Sequence, residues 1–204
     1  MKKTVLIATK NKGKAKEFTR MFAPYGFNVK TLLDIEGAID VKETGSTFAE
    51  NALLKAETIA NTYQTMVISD DSGLMIDALN GEPGVYSARY AGGAKSDEAN
   101  MEKVLEKLKE KEAEQRTARF CCTLAVAAPG MDSFTVEGSC EGEILSEKRG
   151  ENGFGYDPIF FVPSLGKAMA ELSPEEKNSI SHRGNALRKL EKKLPALLSE
   201  ASTQ

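Results

Sequence analysis

The apolar and polar positions of this chain switch between a period of two and a period near 3.6, and the switches predict its elements. Thr4 to Ala8 is a short apolar run rich in β-formers, followed by the polar stretch Thr9-Lys10-Asn11-Lys12-Gly13-Lys14. Ala15, Phe18, Met21 and Phe22 then recur at three- and four-residue spacings until Pro24 and Gly26, so the order is strand, loop, helix. Asn28 to Leu33 reads as a second strand, and Asp40 to Gly45 is polar and acidic. Thr47-Phe48-Ala49-Glu50 matches a capping box, in which a hydroxyl and a carboxylate satisfy orphan amides at a helix start. The helix it opens should run to about Thr62 and bury Ala49, Ala52, Leu53, Ala56, Ile59 and Ala60. Met66 to Ser69 follows as a buried strand expected to end at Asp70 and Asp71.

Gly81-Glu82-Pro83-Gly84 is turn chemistry, and Tyr86 to Gly93 is expected to be a loop holding Arg89 and Tyr90. Ser96 should cap a helix to roughly Glu114, with Met101, Val104, Leu105 and Leu108 inward and a solvated charged face outward. Arg119 to Ala128 and Ser133 to Ile144 predict an antiparallel hairpin turning at Pro129-Gly130, and Ile159 to Val162 a strand between Pro158 and Pro163. Ser173-Pro174-Glu175-Glu176 has the hydroxyl, proline and acids of a helix start. A polar segment around Ser181-His182-Arg183-Gly184 should lead into a last helix with Leu187, Leu190, Leu194 and Leu197 on its inner stripe, ending in a frayed tail over 199–204.

A length of 204 residues suits one domain, here expected over 1–198, and 41% hydrophobic with 28% charged residues is ordinary for a soluble protein. The net charge of −3 argues against a general binder of nucleic acid or anionic membrane, which would carry a basic surplus. Cys121, Cys122 and Cys140 lack zinc-finger or CxxC spacing, and their odd number fits a reducing compartment. The apolar run after Met1-Lys2-Lys3 is too short for a signal peptide, and no stretch is long enough to span a bilayer, so cytoplasmic residence is expected.

Four stretches could carry chemistry. Ser69-Asp70-Asp71-Ser72-Gly73 places two carboxylates after a strand, a composition suited both to Mg²⁺ and to a solvated turn. Thr9 to Lys14 could cradle a phosphate at a helix amino end, although Ala8 and Ala15 exclude a Walker loop; a plain lysine-rich turn is the competing reading. Glu43 could join Asp71 at one metal or simply face a helix amino end. Gly153-Phe154-Gly155-Tyr156-Asp157 offers two aromatic faces and a carboxylate, suited to stacking on a nucleobase and accepting its N–H groups. Lys177 and Arg183 add cations, while His182, the single histidine, makes a zinc site improbable.

Taken together, TKNKGK at 9–14, ETGSTFAENA at 43–52, SDDSGL at 69–74, PGVYSARYAG at 83–92, GFGYDPIFF at 153–161 and EEKNSISHRG at 175–184 resemble the inosine triphosphate pyrophosphatase family, the Ham1-like nucleoside triphosphate pyrophosphatases. The resemblance implies an elongated mixed α/β fold, with a β-sheet flanked by helices and two lobes around a central cleft. It implies Mg²⁺-dependent hydrolysis of ITP, dITP and XTP to the monophosphate and pyrophosphate, by a homodimer that cleanses the purine nucleotide pool. By the same resemblance Asp71 is general base and metal ligand, Glu43 the second metal ligand and Ser72 a substrate contact. Thr9, Lys10, Asn11, Lys12, Gly13, Lys14 and Lys177 would grip phosphates. Phe154, Gly155, Tyr156, Asp157, His182 and Arg183 would form the base pocket. Two rivals remain at this stage: a haloacid-dehalogenase-like phosphatase releasing orthophosphate, disfavoured by Gly73 where a second Asp is needed, and a non-catalytic purine-nucleotide sensor.

Overall fold

Parallel pairing at one side of the sheet and antiparallel pairing at the other give it a mixed character. The computed structural model describes residues 4–25 and 28–193. Its elements are β1 (Thr4–Ile7), α1 (Lys12–Phe22), β2 (Asn28–Thr31), α2 (Phe48–Tyr63), β3 (Val67–Ile76), α3 (Asp97–Leu108), β4 (Thr117–Ala127), β5 (Phe134–Ile144), β6 (Phe160–Val162), β7 (Lys167–Ala168), α4 (Pro174–Ile180) and α5 (His182–Glu191). The strand order is β2-β1-β3-β4-β5-β6-β7. β1 runs parallel to both β2 and β3, and α1 and α2 are the crossovers such pairing demands. β6 is antiparallel to β5 and to β7.

The chain divides into two compact units, each with its own core. The first holds the described residues up to Asp71, Cys122–Gly138 and those from Arg183; the second holds Ser72–Cys121 and Ser139–His182. In the first unit the alternation of β1 has a direct consequence. Val5 and Ile7 pack with Phe18, Met21 and Phe22 of α1 and Leu187 and Leu190 of α5, whereas Leu6 and Ala8 pack with Ala52, Ala56 and Ile59 of α2. Successive side chains of a strand point to opposite faces, so an unbroken apolar run is what a strand covered on both faces requires. The alanines of α2 let its backbone approach β3 closely: the Ser69 hydroxyl donates to the Ala52 carbonyl at 2.5 Å. A larger residue at the fully buried Ala52 would overpack this contact, at a cost of about 1–3 kcal/mol.

In the second unit Leu74 and Ile76, Met101, Val104 and Leu108 of α3, Phe120, Ile159, Phe160 and Met169 share one cluster. Arg116 is buried against carbonyls: Nε donates to Ile144 at 2.7 Å, Nη1 to Leu108 at 2.9 Å and Nη2 to Leu145 at 2.8 Å. The Leu108 carbonyl also accepts from the Lys111 amide at 2.9 Å, so α3 closes there, short of the expected Glu114.

Several boundaries differ from the sequence pattern. β3 does not end at the acidic pair but continues through it to Ile76, because Leu74 and Ile76 are themselves core residues. Leu32 to Asp34 forms a 3₁₀ turn instead of extending β2, since the Asp34 carboxylate accepts from both the Thr31 amide and its hydroxyl. Gly84–Arg89, expected within a loop, is also 3₁₀. At α2 the Thr47 hydroxyl caps the Glu50 amide as predicted, and the Glu50 carboxylate accepts from the Ser46 amide and hydroxyl as well as interacting with the Thr47 amide. His182 and Arg183 already belong to α5, and both are buried. Leu194, Leu197 and the 199–204 tail lie outside the described residues.

Candidate active site

In the first unit the ends of β1 and β3 bring the Thr9 loop beside the acidic pair, held by the Ala8 amide donating to the Ile68 carbonyl at 2.9 Å. The Thr9 hydroxyl accepts from the Asn11 amide at 3.1 Å, and the Asn11 side chain caps α1 by accepting from the Lys14 amide at 3.0 Å. Thr9 and Asn11 therefore shape the loop, and Lys12 and Gly13 form the first turn of the helix. Lys10 is committed elsewhere: its ammonium donates to the Ala38 carbonyl at 2.8 Å and lies 3.6 Å from Asp40. Lys14 reaches inward to Asp70 at 2.8 Å.

Asp70 and Asp71 are consecutive on a strand, so their side chains leave opposite faces. Asp70 meets Lys14 and Arg183, the latter at 3.5 Å, and Arg183 also pairs with Glu17. Burial favours the protonated acid, but Lys14 and then Arg183 outweigh it and hold the Asp70 carboxyl well below its usual range. Asp71 instead accepts from the Asn51 amide at 3.0 Å. Burial, and next the charge of Glu43, push its carboxyl up to about 6 despite Lys55 and Lys14. Glu43 is paired with Lys55 at 2.8 Å. Burial works against the charge on Lys55, yet Asp70, Glu43 and Asp71 together raise its proton affinity.

Burial and a second carboxylate drive Asp71 toward its neutral form, and a bound cation would favour its ionised form. Glu43 and Asp71 could hold a hard cation such as Mg²⁺, which takes few protein oxygens and leaves its other positions to water and phosphate. Among the described residues no group of three or more His, Cys, Asp or Glu side chains stands ready to enclose a metal, as zinc would need. Cys122, whose thiol burial pushes up to about 12, is no candidate nucleophile.

The second unit gathers the 153–157 loop, Lys177 and His182. Asp157 is buried, and its Oδ2 accepts from the Phe154 amide at 2.9 Å and from the Lys177 ammonium at 2.7 Å. That ammonium also lies 4.8 Å from the centre of the Phe154 ring. Gly153 has φ +81°, and a Cβ there would stand 2.0 Å from Asp157 Oδ2, so only glycine admits this turn. The Gly155 amide donates to Asp97, the first residue of α3, at 2.8 Å. The two aromatics are not equivalent. Tyr156 is buried with its hydroxyl on the Ser87 carbonyl at 2.7 Å, while Phe154 stays half-buried. The His182 ring stacks on Phe120, centroids 4.8 Å apart. Ser72 opens this unit, half-buried in β3.

Two residues that the resemblance assigns to the ligand have protein partners in the structure. Lys177, assigned to phosphates, is placed with Asp157 and Phe154, and Arg183, assigned to the base, is placed with Asp70 and Glu17. Sequence reasoning also missed Asn51 and Lys55, which contact Asp71 and Glu43 respectively. Their signal was present: two polar residues four apart sit beside the alanine face of α2, where adjacent turns stack.

Residues 5–193 match the model of the Ham1 family. The dITP/XTP pyrophosphatase of Bacillus anthracis is 57% identical over 195 residues, covering 95% of this chain and 96% of that protein. The Bacillus subtilis dITP/XTP pyrophosphatase is 58% identical over 194 residues, 95% of this chain and 98% of the other. Among solved structures, the Staphylococcus aureus Ham1 protein superimposes with a TM-score of 0.84 at 49% identity, covering 95% and 99% of the two chains. A HAM1 protein from Coxiella burnetii gives 0.85 at 41% identity, with coverage of 95% and 99%. With its mixed seven-stranded sheet and a match over nearly its whole length, the chain belongs to the Ham1 family.

Proposed function

We propose that this chain hydrolyses the non-standard purine nucleoside triphosphates dITP, XTP and ITP to the monophosphate and pyrophosphate, and so keeps them out of DNA and RNA. The observation that carries the chemistry is Asp71: a buried carboxylate with raised proton affinity, beside Glu43 and within the field of Lys55 and Lys14. A base is most useful when its pKa lies near the working pH. Asp71 takes a proton from water as the water oxygen bonds to the α phosphorus; the bond from that phosphorus to the α–β bridging oxygen breaks, and pyrophosphate leaves with the electron pair. A Mg²⁺ ion held by Glu43 and Asp71 supplies, when bound, positive charge against the phosphate oxygens. Lys14 and the amides at the start of α1 contribute fixed positive potential to the phosphates.

The purine is read from the second unit. Phe154 supplies the stacking face, and the Asp157–Lys177 pair and Asp97 hold its loop in one shape. Donors aimed at a 6-oxo group would be left unpaired against ATP, which discriminates more strongly than shape alone. His182, which belongs to the same unit as this loop, is the side chain we propose as such a donor. We place the enzyme in the cytoplasm, with its substrates, as a homodimer.

Pyrophosphate release from dITP, XTP, ITP, GTP and ATP with Mg²⁺ tests the reading. The first three should turn over far faster than the last two. Orthophosphate as the product, or equal rates on ATP, would sink it.

A further inference from the structure

We infer that Asn51 is a positioning residue that ties Asp71 to the segment carrying Glu43 and thereby sets the spacing of the two carboxylates; this rests on reading them as the ligands of a divalent cation. Asn51 is 1% exposed, in a helix whose other buried positions are Ala52, Ala56, Ile59 and Ala60. Asparagine is a weaker helix former than alanine, and a buried amide is costly unless its polar atoms are bonded. Both ends of this one are used. Oδ1 accepts from the Gly45 amide at 2.7 Å, and Nδ2 donates to Asp71 Oδ2 at 3.0 Å.

The orientation is fixed by chemistry: a backbone N–H can only donate, so the amide oxygen must face Gly45 and the amide nitrogen must face Asp71. Gly45 is matched to this contact. A Cβ there would stand 2.7 Å from Asn51 Oδ1 and 2.7 Å from Glu50 Cβ, so any side chain displaces the bridge. Glu43 lies only two residues before Gly45, a reach of at most about 7 Å. One turn further along α2, Lys55 holds Glu43 Oε1 at 2.8 Å. The helix thus presents one donor to each carboxylate. Asn51 orients Asp71 without neutralising it, whereas a cation at that position would weaken it as a base and compete with a metal.

The test is Mn²⁺ binding to the nucleotide-free protein by electron paramagnetic resonance, with kcat and KM for dITP alongside, for wild type, Asn51→Ser, Gly45→Ala and the double variant. A residue that orients a metal ligand typically governs 10–100-fold in affinity or activity. Asn51→Ser should therefore weaken Mn²⁺ by about that factor and lower kcat similarly, with KM for dITP moving less than about threefold. Gly45→Ala should act in the same direction, and the double variant should be little worse than either, because both break one bridge. Wild-type Mn²⁺ affinity in folded Asn51→Ser, or losses that simply add, would overturn the inference. Should Asn51→Ser not fold, Gly45→Ala decides alone by the same Mn²⁺ measurement. If wild type releases no pyrophosphate from dITP, the proposed function fails, and the Mn²⁺ arm still decides the bridge.

Discussion

The two units treat buried charge in opposite ways. In the second, Asp157 and Lys177 form a compact pair at 2.7 Å whose carboxylate also takes the Phe154 amide. In the first, Lys14, Lys55, Arg183, Glu17, Glu43, Asp70 and Asp71 share a network in which Asp70 is strongly stabilised as an anion and its neighbour Asp71 is not. A charge-neutralised pair gives a fixed shape, and a carboxylate whose proton affinity is raised by burial and a like charge gives a group ready to take a proton or a cation. That contrast is why the proposed reaction is centred on Asp71 in the first unit.

Substitutions that move charge in each unit would break or sharpen this contrast. The largest effect on turnover is expected from Asp71→Asn, which keeps the hydrogen-bonding shape but removes the base. Its kcat for pyrophosphate release should fall roughly 10²–10⁴-fold. Retention of wild-type kcat would place the reacting group elsewhere. Lys177→Met leaves Asp157 buried without its cation, and urea unfolding should show a loss of about 3–5 kcal/mol, partly recovered by adding Asp157→Asn. Lys14→Met should cost less stability in the same assay, because Asp70 keeps Arg183.

Phe154→Ala removes the proposed stacking face, worth about 1–3 kcal/mol per base. KM for dITP should rise roughly 5–150-fold with kcat less affected. The subtlest prediction concerns pH. Asp71 must be ionised to act, so at limiting Mg²⁺ the rate should rise with pH through a midpoint near the value of about 6, and excess Mg²⁺ should move that midpoint lower. The two neighbours have opposite linkage. Asp71 binds its proton more tightly folded than unfolded, so its contribution to stability increases as pH falls from 6 toward 4. Asp70 is depressed when folded, so its contribution is present above the ordinary carboxylate range and is lost as pH falls through its lower folded value. Replacing each by Asn and measuring acid unfolding would separate the two: Asp70→Asn should flatten the acid-side loss, and Asp71→Asn should not.

Local pattern carried much of the element order. The stripe Ala15, Phe18, Met21, Phe22 is the buried face of α1, and Ser96 and Ser173 cap the helices they were expected to cap. The pattern failed where a polar pair looked like a strand end: Asp70 and Asp71 lie inside β3, because distant partners, Lys14, Arg183 and Asn51, make their burial tolerable. Turn propensity records only what Asp does without such partners.

What the sequence determined by itself was the set of chemical groups, the helix stripes and caps, and, through ordered motifs, the family. These depend on neighbours within a turn or two, where periodicity and capping act. Only tertiary structure decided which charge meets which: that Lys177 pairs with Asp157, that Arg183 joins Glu17 and Asp70, and that Asn51 spans from Gly45 to Asp71. Those pairings join residues as far apart as Glu17 and Arg183. The physical reason is that burial energy and Coulomb interaction depend on distance in space, which spacing along the chain does not encode.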